Sequence, residues 1–216
     1  MIICENRKTK LCKMLVILAL LVLSVATTGC NVSEEMQNQI DKNGHHYVEV
    51  TIKTPGNTKV VAWKYTSQLT NEEIKQIKNK VDRVYKNAIK LESETLKYNC
   101  HSYAWYSTDV NKNEYWINEP HAYWEDGGMC FYYAEVNNMA TTPSQLRMGD
   151  RAVYYDEDGK VDHSAIVYNS SGMLESKWGF AGLFRHQQNY CPYAKYDKEI
   201  KYYYMKPGIN PPPLHN

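Results

Sequence analysis

The sequence lacks an excess of charge of either sign. Its 216 residues include 25 Lys and Arg against 24 Asp and Glu, so the formal net charge is +1. Proteins that bind nucleic acid or strongly charged substrates usually carry an excess of the opposite charge. The balance therefore gives no reason to expect nucleic acid as a partner, or a strongly charged substrate.

The sequence also lacks an apolar run long enough to span a membrane. Its longest apolar run, residues 14–26, follows a basic start, and a membrane-spanning helix needs about 20 apolar residues. A basic start and a short apolar run are typical of a signal peptide, which we predict over residues 1–29. Export through the cell membrane follows from that prediction.

The end of this leader, Gly29-Cys30 followed by polar residues, resembles the lipobox of bacterial lipoproteins. The resemblance implies that Cys30 is lipidated and anchors the protein to the extracytoplasmic face of the membrane. Thr27 departs from the usual pattern, so an uncleaved anchor and an ordinary secreted protein are the alternatives. We interpret residues 30–44 as a tether, 45–206 as one domain and 207–216 as a Pro-rich tail.

Phenylalanine is scarce, with 3 Phe against 19 Tyr and 5 Trp. Tyr and Trp combine an apolar body with a polar tip and suit wet grooves that contact peptide or glycan. Residues 111–128, which include Trp116, form an aromatic segment without periodicity. Long loops inside a domain often line a site, so we interpret this segment as a groove wall, with a packed loop as the alternative.

Motifs for metal binding are absent. No Cys or His pair has zinc-motif spacing, and the acidic turn at 156–160 lacks the spacing of an EF-hand. We therefore expect neither a metal nor another cofactor. Of six Cys, only Cys100, Cys130 and Cys191 follow Cys30. An odd number in an exported domain indicates one disulfide, Cys130–Cys191, and a free Cys100, with all three reduced as the alternative.

Hydrophobic periodicity predicts a mixture of strands with one long helix. A capping box at Thr70–Glu73 opens an amphipathic helix that the pattern extends to about Leu91. Alternating or apolar segments bounded by turn residues predict strands. These predicted strands cover residues 46–54, 60–65, 151–155, 161–168, 173–178 and 199–205.

Cys100 follows Asn99, a residue type that caps helices, at the start of a short amphipathic run. The N-terminus of a helix carries partial positive charge and unpaired N–H groups, which stabilise a thiolate. This placement is typical of a cysteine nucleophile. The alternative is a buried cysteine that fills space in the core.

Cys100, then Gly149-Asp150 before a strand, then His163 at the start of the following strand form an ordered set. This set, within Lys97–Trp178, resembles the NlpC-like cysteine peptidases of the papain superfamily and the related CHAP amidases. Those enzymes cleave amide bonds in bacterial cell-wall peptides. The resemblance implies an α+β, papain-like fold in which the helix that carries the nucleophile packs on an antiparallel β-sheet.

The resemblance also implies roles for individual residues. Cys100 matches the nucleophile and His163 the general base, and a third polar group should orient the imidazole. Glu175 or Ser176 would fill that role, depending on the length of the preceding loop, and we favour Glu175 because a carboxylate stabilises imidazolium. The expected substrate-binding residues are Tyr98, Asn99, Trp105, Trp116 and Trp178.

The sequence thus predicts an exported cysteine peptidase or amidase, with a peptide or a peptidoglycan-derived substrate. One alternative is an acyl transferase of the transglutaminase kind that uses the same two residues. The other is a binding lipoprotein without catalysis, in which an aromatic groove holds the ligand and Cys100 is buried.

Overall fold

The computed structural model describes residues 38–125, 130–136, 141–195 and 198–206. The predicted signal peptide, Cys30 and the Pro-rich tail lie outside these ranges. In chain order the strands are β1 (Gln39–Ile40), β2 (His46–Lys53), β3 (Lys59–Tyr65), β4 (Ile89–Glu92), β5 (Trp116–Ile117), β6 (Cys130–Val136), β7 (Arg151–Tyr155), β8 (Val161–Val167), β9 (Met173–Lys177), β10 (Leu183–Gln187) and β11 (Glu199–Met205). The helices are α1 (Asn71–Val84), a π-helical turn (Ser102–Tyr106) and α2 (Ala122–Glu125).

The strands form two antiparallel sheets. The first has the order β1-β2-β3-β5, and the second has the order β4-β10-β9-β8-β7-β11-β6. Short turns join β7, β8 and β9, so these three strands, whose positions the sequence predicts, form an antiparallel meander. Asn57, in the turn between β2 and β3, has a φ of 71°, a conformation that Asn adopts more readily than most residues.

Helix α1 begins as predicted but ends early. The Thr70 hydroxyl accepts the Glu73 N–H at 3.3 Å and the Glu73 carboxylate accepts the Thr70 N–H at 2.7 Å, which completes the capping box. The predicted extension to Leu91 is wrong, because the helix ends at Val84 and residues 89–92 pair with β10 as β4. The apolar spacing continues past the helix end, so periodicity alone does not reveal the change.

The second sheet has a core on each face. The Cys100-side core includes Tyr98, Tyr103, Trp105, Ile117, Val153, Ile166 and Leu183 and continues into the first sheet. The α1-side core includes Ala152, Tyr154, Ala165, Val167, Leu174, Trp178 and Phe184, against which α1 packs through Ile77 and Val81. No residue of α1 is fully buried, so this helix covers its sheet face incompletely.

The predicted papain-like α+β core is wrong. The described residues form eleven strands in two antiparallel sheets, with three short helices. The error arose from β4, β6 and β10, three segments that were not predicted as strands. Together with β11 they extend the β7-β8-β9 meander into a seven-stranded sheet. In the ranges that the structure covers, no helix is long and apolar enough to cross a membrane.

Candidate functional site

Asn99 caps a helix at Cys100, as the sequence predicts. Its side-chain oxygen accepts the N–H of Ser102 at 3.0 Å and the N–H of Ile117 at 3.2 Å. Its amide donates to the Ile117 carbonyl at 2.8 Å. The helix starts at Cys100 and continues into the π-helical turn at Ser102–Tyr106. Asn99 therefore holds Cys100 at a helix N-terminus and ties that terminus to β5.

The Cys100 thiol is deeply buried, with 5% of the residue exposed. Burial raises its pKa from 9.0 to about 12, although hydrogen bonds from the backbone N–H groups of Ser164 and His101 act in the opposite direction. The nearby Lys177 also favours the thiolate, whereas Asp162 disfavours it. Because the thiolate is the reactive form, Cys100 is a poor nucleophile in this arrangement.

The structure does not bring Cys100 and His163 together. Ser164 faces the helix of Cys100, since its hydroxyl lies 2.9 Å from the Nδ1 of His101. Neighbouring residues of a strand point to opposite faces of the sheet, so His163 points into the α1-side core. There its ring stacks on Tyr193, with 3.9 Å between ring centroids. The sheet itself separates the predicted nucleophile from the predicted base.

Glu175 lies on the Cys100 side of the sheet. One carboxylate oxygen pairs with Arg185 at 2.7 Å, and the other accepts the hydroxyl of Tyr103 at 3.1 Å. Glu175 is fully buried, so the ion pair and the hydroxyl compensate for the loss of water. Glu175 therefore contacts Arg185 and Tyr103 on the face of the sheet opposite to His163, and it does not orient the His163 imidazole.

Ser176, the other candidate for the third residue, lies on the α1 side. Its hydroxyl is 2.7 Å from the Nε2 of His186 and accepts the indole N–H of Trp178 at 3.0 Å. It therefore orients His186 rather than His163. Within the described residues neither ring nitrogen of His163 has a hydrogen-bond partner.

Four of the five predicted substrate-binding residues are buried, and only Trp116 is half-buried. Tyr98, Asn99 and Trp105 are 2–5% exposed and belong to the interior. Trp116 is half-buried and packs against Phe180 at 5.1 Å between centroids. Trp178 alone among the five lines the cleft described next. The predicted groove residues thus act mainly in packing.

A mostly apolar cleft of about 630 Å³ lies between α1 and the segments that follow β9 and β10. This cleft was not predicted, because the aromatic residues of segment 111–128 indicated a groove there instead. The signal for this cleft is the apolar stripe of α1, whose residue Val84 stays 52% exposed. The cleft is lined by Ile77, Lys80, Val81, Val84, Tyr85, Asp162, Trp178, Phe180, Ala181, Pro192, Tyr193 and Lys195.

Three charged residues line this cleft. Lys80 and Lys195 contribute two ammonium groups, and Asp162 contributes one carboxyl group. Partial burial, together with the nearby Asp156, raises the pKa of Asp162. The cleft therefore carries more positive than negative charge. Across the described ranges, no group of three or more His, Cys, Asp or Glu side chains is placed to hold a metal ion.

Cys100, Cys130 and Cys191 are buried, and no disulfide bond joins them to one another. Cys130 belongs to the Cys100-side core and Cys191 to the α1-side core. The predicted Cys130–Cys191 disulfide is therefore not formed, because the second sheet lies between the two thiols. The alternative of three reduced cysteines describes the structure.

The comparison with family models supplies the identity of the domain. The family described as a domain of unknown function (DUF7689) matches residues 89–204, more than half of the chain. The chain belongs to this family. No curated protein and no solved structure matches it.

The DUF7689 match coincides with the second sheet. It begins at the first residue of β4 and ends one residue before the last residue of β11. Cys100, His163 and most of the cleft lining lie within it, whereas α1 and strands β1 to β3 precede it. One wall of the cleft is therefore contributed by a helix outside the DUF7689 segment.

Proposed function

We propose that this protein binds a small amphiphilic anion, a molecule with an apolar body and one anionic end. The cleft between α1 and the DUF7689 segment carries the proposal. Its volume of about 630 Å³ lies within the roughly 300–1,000 Å³ of small-molecule sites. The proposed function is therefore binding without catalysis. This is the alternative from the sequence in which Cys100 is buried.

The lining favours an apolar body over a glycan. Aliphatic side chains of α1 form one wall, and Trp178, Phe180 and Tyr193 contribute aromatic surface. A sugar carries many hydroxyl groups, so its binding site needs many hydrogen-bonding partners. An apolar ligand is stabilised instead by about 25 cal/mol for each Å² of apolar surface that it buries. An extended alkyl chain or a fused aromatic ring system suits these walls.

The charges favour an anionic end. Lys80 and Lys195 line the cleft together with a single carboxyl group, that of Asp162. Opposite charges across a binding surface supply specificity and discourage the wrong partner. A carboxylate at the mouth of the cleft would be attracted by the two ammonium groups, and a quaternary amine would be repelled.

The proposal is tested by titration calorimetry with decanoate and with decyltrimethylammonium, which share an alkyl chain and differ in head-group charge. We expect saturable binding of one decanoate per chain, at least about tenfold tighter than that of the cation. Val81→Asp, which places a charge on the apolar wall, should abolish binding. Val61→Asp is the matched control, because Val61 lies exposed in the first sheet.

Charge-reversal variants test the contact between the cleft and the anionic head group. Charge reversal of Lys80 and Lys195 to Glu should weaken decanoate binding roughly tenfold, at about 1 kcal/mol or less for each exposed charge. Charge reversal of Lys53 and Lys59, both exposed in the first sheet, should leave it unchanged. Absence of saturable binding, or equal affinity for the two head groups, would overturn the proposal.

The setting that we propose for this binding is the cell envelope. The predicted signal peptide and the lipobox-like Cys30 favour an exported protein with a lipid anchor. Amphiphilic anions are abundant at a membrane surface, so an anchored protein would meet such a ligand there. This location in the cell envelope follows from the sequence and stays a prediction.

A cysteine hydrolase acting on cell-wall peptide is the second candidate. The observation in its favour is the position of Cys100 at an Asn-capped helix N-terminus, with two backbone N–H groups directed at its sulfur. In this arrangement the basic side chain that interacts with the thiol is Lys177 rather than His163. A hydrolase would need a rearrangement that exposes Cys100.

The pH dependence of iodoacetamide labelling separates the two candidates. Rapid labelling of Cys100 well below pH ~8, lost in His163→Ala, would favour the hydrolase, because a normal thiol has a pKa of roughly 8.5. Binding without catalysis predicts slow labelling that does not respond to His163→Ala. Denatured protein serves as the control for full reactivity.

A further inference from the structure

His163 is an unexplained polar group in the α1-side core. The residue is fully buried, and both of its ring nitrogens lack a hydrogen-bond partner among the described residues. An unsatisfied buried polar group is destabilising, because it loses its hydrogen bonds to water and gains none within the protein. Such a group in a folded protein needs a compensating role.

Neighbouring polar groups are engaged elsewhere. Tyr154, whose ring meets His163 edge-on at 5.2 Å, donates its hydroxyl to the carbonyl of Gln188 at 2.8 Å. His186 interacts with Ser176 through one ring nitrogen and with the Gln187 carbonyl through the other. A rotation of the His163 ring alone therefore offers it no obvious partner within the protein.

Tyr193 connects His163 with the cleft. Its ring lies flat on the imidazole, with an interplanar angle of 8°, and it also forms part of the cleft lining. Tyr193 belongs to residues 188–195, a segment that follows β10 without helix or strand. Segments of this kind change side-chain conformation more readily than sheet residues do. Displacement of one aromatic ring would therefore open a path from the cleft to His163.

We propose that His163 is a ligand-binding residue of the cleft, reached when the Tyr193 ring moves, and that it hydrogen bonds a hydroxyl group of the bound molecule. This inference rests on the proposed function and narrows its ligand class. The ligand has an anionic end near Lys80 and Lys195, an apolar body and a hydroxyl group remote from the anion.

The chemistry of a neutral imidazole matches a hydroxyl group. One ring nitrogen donates and the other accepts, and a hydroxyl can do either. Burial lowers the pKa of His163 well below its usual value, and His186 and His101 act in the same direction. The ring is therefore neutral at physiological pH, which suits a neutral polar group and not a second anion.

The test compares decanoate with ω-hydroxydecanoate, which differ only in the terminal hydroxyl. We expect the wild-type protein to bind the hydroxy acid roughly fivefold more tightly, the effect of one net hydrogen bond of about 1 kcal/mol. His163→Phe should retain decanoate binding and lose this preference. His46→Phe is the matched control, because His46 is exposed on β2, and it should keep the preference.

Accessibility of the imidazole provides a second readout that does not depend on His163→Phe folding. Diethyl pyrocarbonate should modify His163 faster in Tyr193→Ala than in the wild-type protein, and ω-hydroxydecanoate should protect it in that variant. Equal affinity of the wild-type protein for the two acids would overturn this inference and leave the proposed function standing. Failure of both acids to bind would overturn both.

Discussion

Acidification from about pH 7.5 to about pH 5.5 should destabilise this protein strongly, because three histidines are buried in the neutral form. Burial lowers the pKa of His101 to about 3 and that of His186 to about 4 from 6.5, and it lowers that of His163 as well. In this pH range the unfolded chain binds protons that the folded chain excludes. Stability therefore rises with pH and is lost as the pH falls through about 6.5.

The magnitude follows from these shifts. One pH unit below the unfolded pKa, each such histidine lowers the free energy of unfolding by about 1 kcal/mol or slightly more. His101, His163 and His186 together should remove about 4 kcal/mol at about pH 5.5. That is a large part of the roughly 5–15 kcal/mol that holds a typical domain folded. Lys177, whose pKa burial lowers to about 7, changes stability in the same direction near neutral pH.

Urea denaturation followed by tryptophan fluorescence measures this loss. His186→Gln keeps a polar group beside Ser176 and removes one titrating site. Its loss of stability between the two pH values should therefore be smaller than that of the wild type by about 1 kcal/mol or slightly more. His46→Gln, at an exposed position, should lose as much as the wild type. Equal free energies of unfolding at the two pH values would show that the folded protein does not exclude protons from its buried histidines.

Three further predictions concern other contacts. Arg185→Met leaves the buried carboxylate of Glu175 without its ion-pair partner at 2.7 Å and should cost about 3–5 kcal/mol in urea denaturation, whereas Arg147→Met at the surface should cost little. Thr70→Ala removes the N-cap of α1 and should lower the free energy of unfolding by about 1 kcal/mol. Thr66→Ala is the control, and an equal loss of stability in the two variants would contradict the capping role of Thr70. Iodoacetamide should label Cys100, Cys130 and Cys191 only after denaturation, as followed by peptide mass; rapid labelling in the native protein would contradict their burial.

Local chemistry in the sequence predicted several elements. The capping box of α1 and the Asn99 cap depend on residues close in the chain. The meander β7-β8-β9 follows from short turns between apolar segments. In each case the determining interactions lie within a few residues, so a single sequence contains the information.

Pairing with strands that are distant in the sequence explains why β4 and β6 were not predicted. Residues 89–92 carry the apolar spacing of the preceding helix and become strand β4 because β10 supplies hydrogen bonds from nearly a hundred residues away. Segment 130–136 is likewise a strand through its pairing with β11. Neither partner is evident from local periodicity.

The alternation of side chains along β8 explains why Cys100 and His163 lie on opposite faces of the sheet. The order Cys100, Gly149-Asp150, His163 is the same whether His163 or Ser164 faces the helix of Cys100. Because strand side chains alternate, a shift of one residue moves the imidazole to the other side of the sheet. The order of motifs along a chain contains no information on that choice, and the contact of Ser164 with His101 settles which face each residue takes.

The most direct test of the proposed binding is the ¹H–¹⁵N spectrum of the protein during titration with decanoate. The indole N–H of Trp178, which donates to Ser176 beneath the cleft, should shift progressively and saturate with one decanoate per chain. The indole of Trp63, which stacks on Tyr47 in the first sheet, should not move. Shifts confined to Trp63, or an unchanged Trp178 at saturating decanoate, would contradict the assignment of the cleft as a binding site.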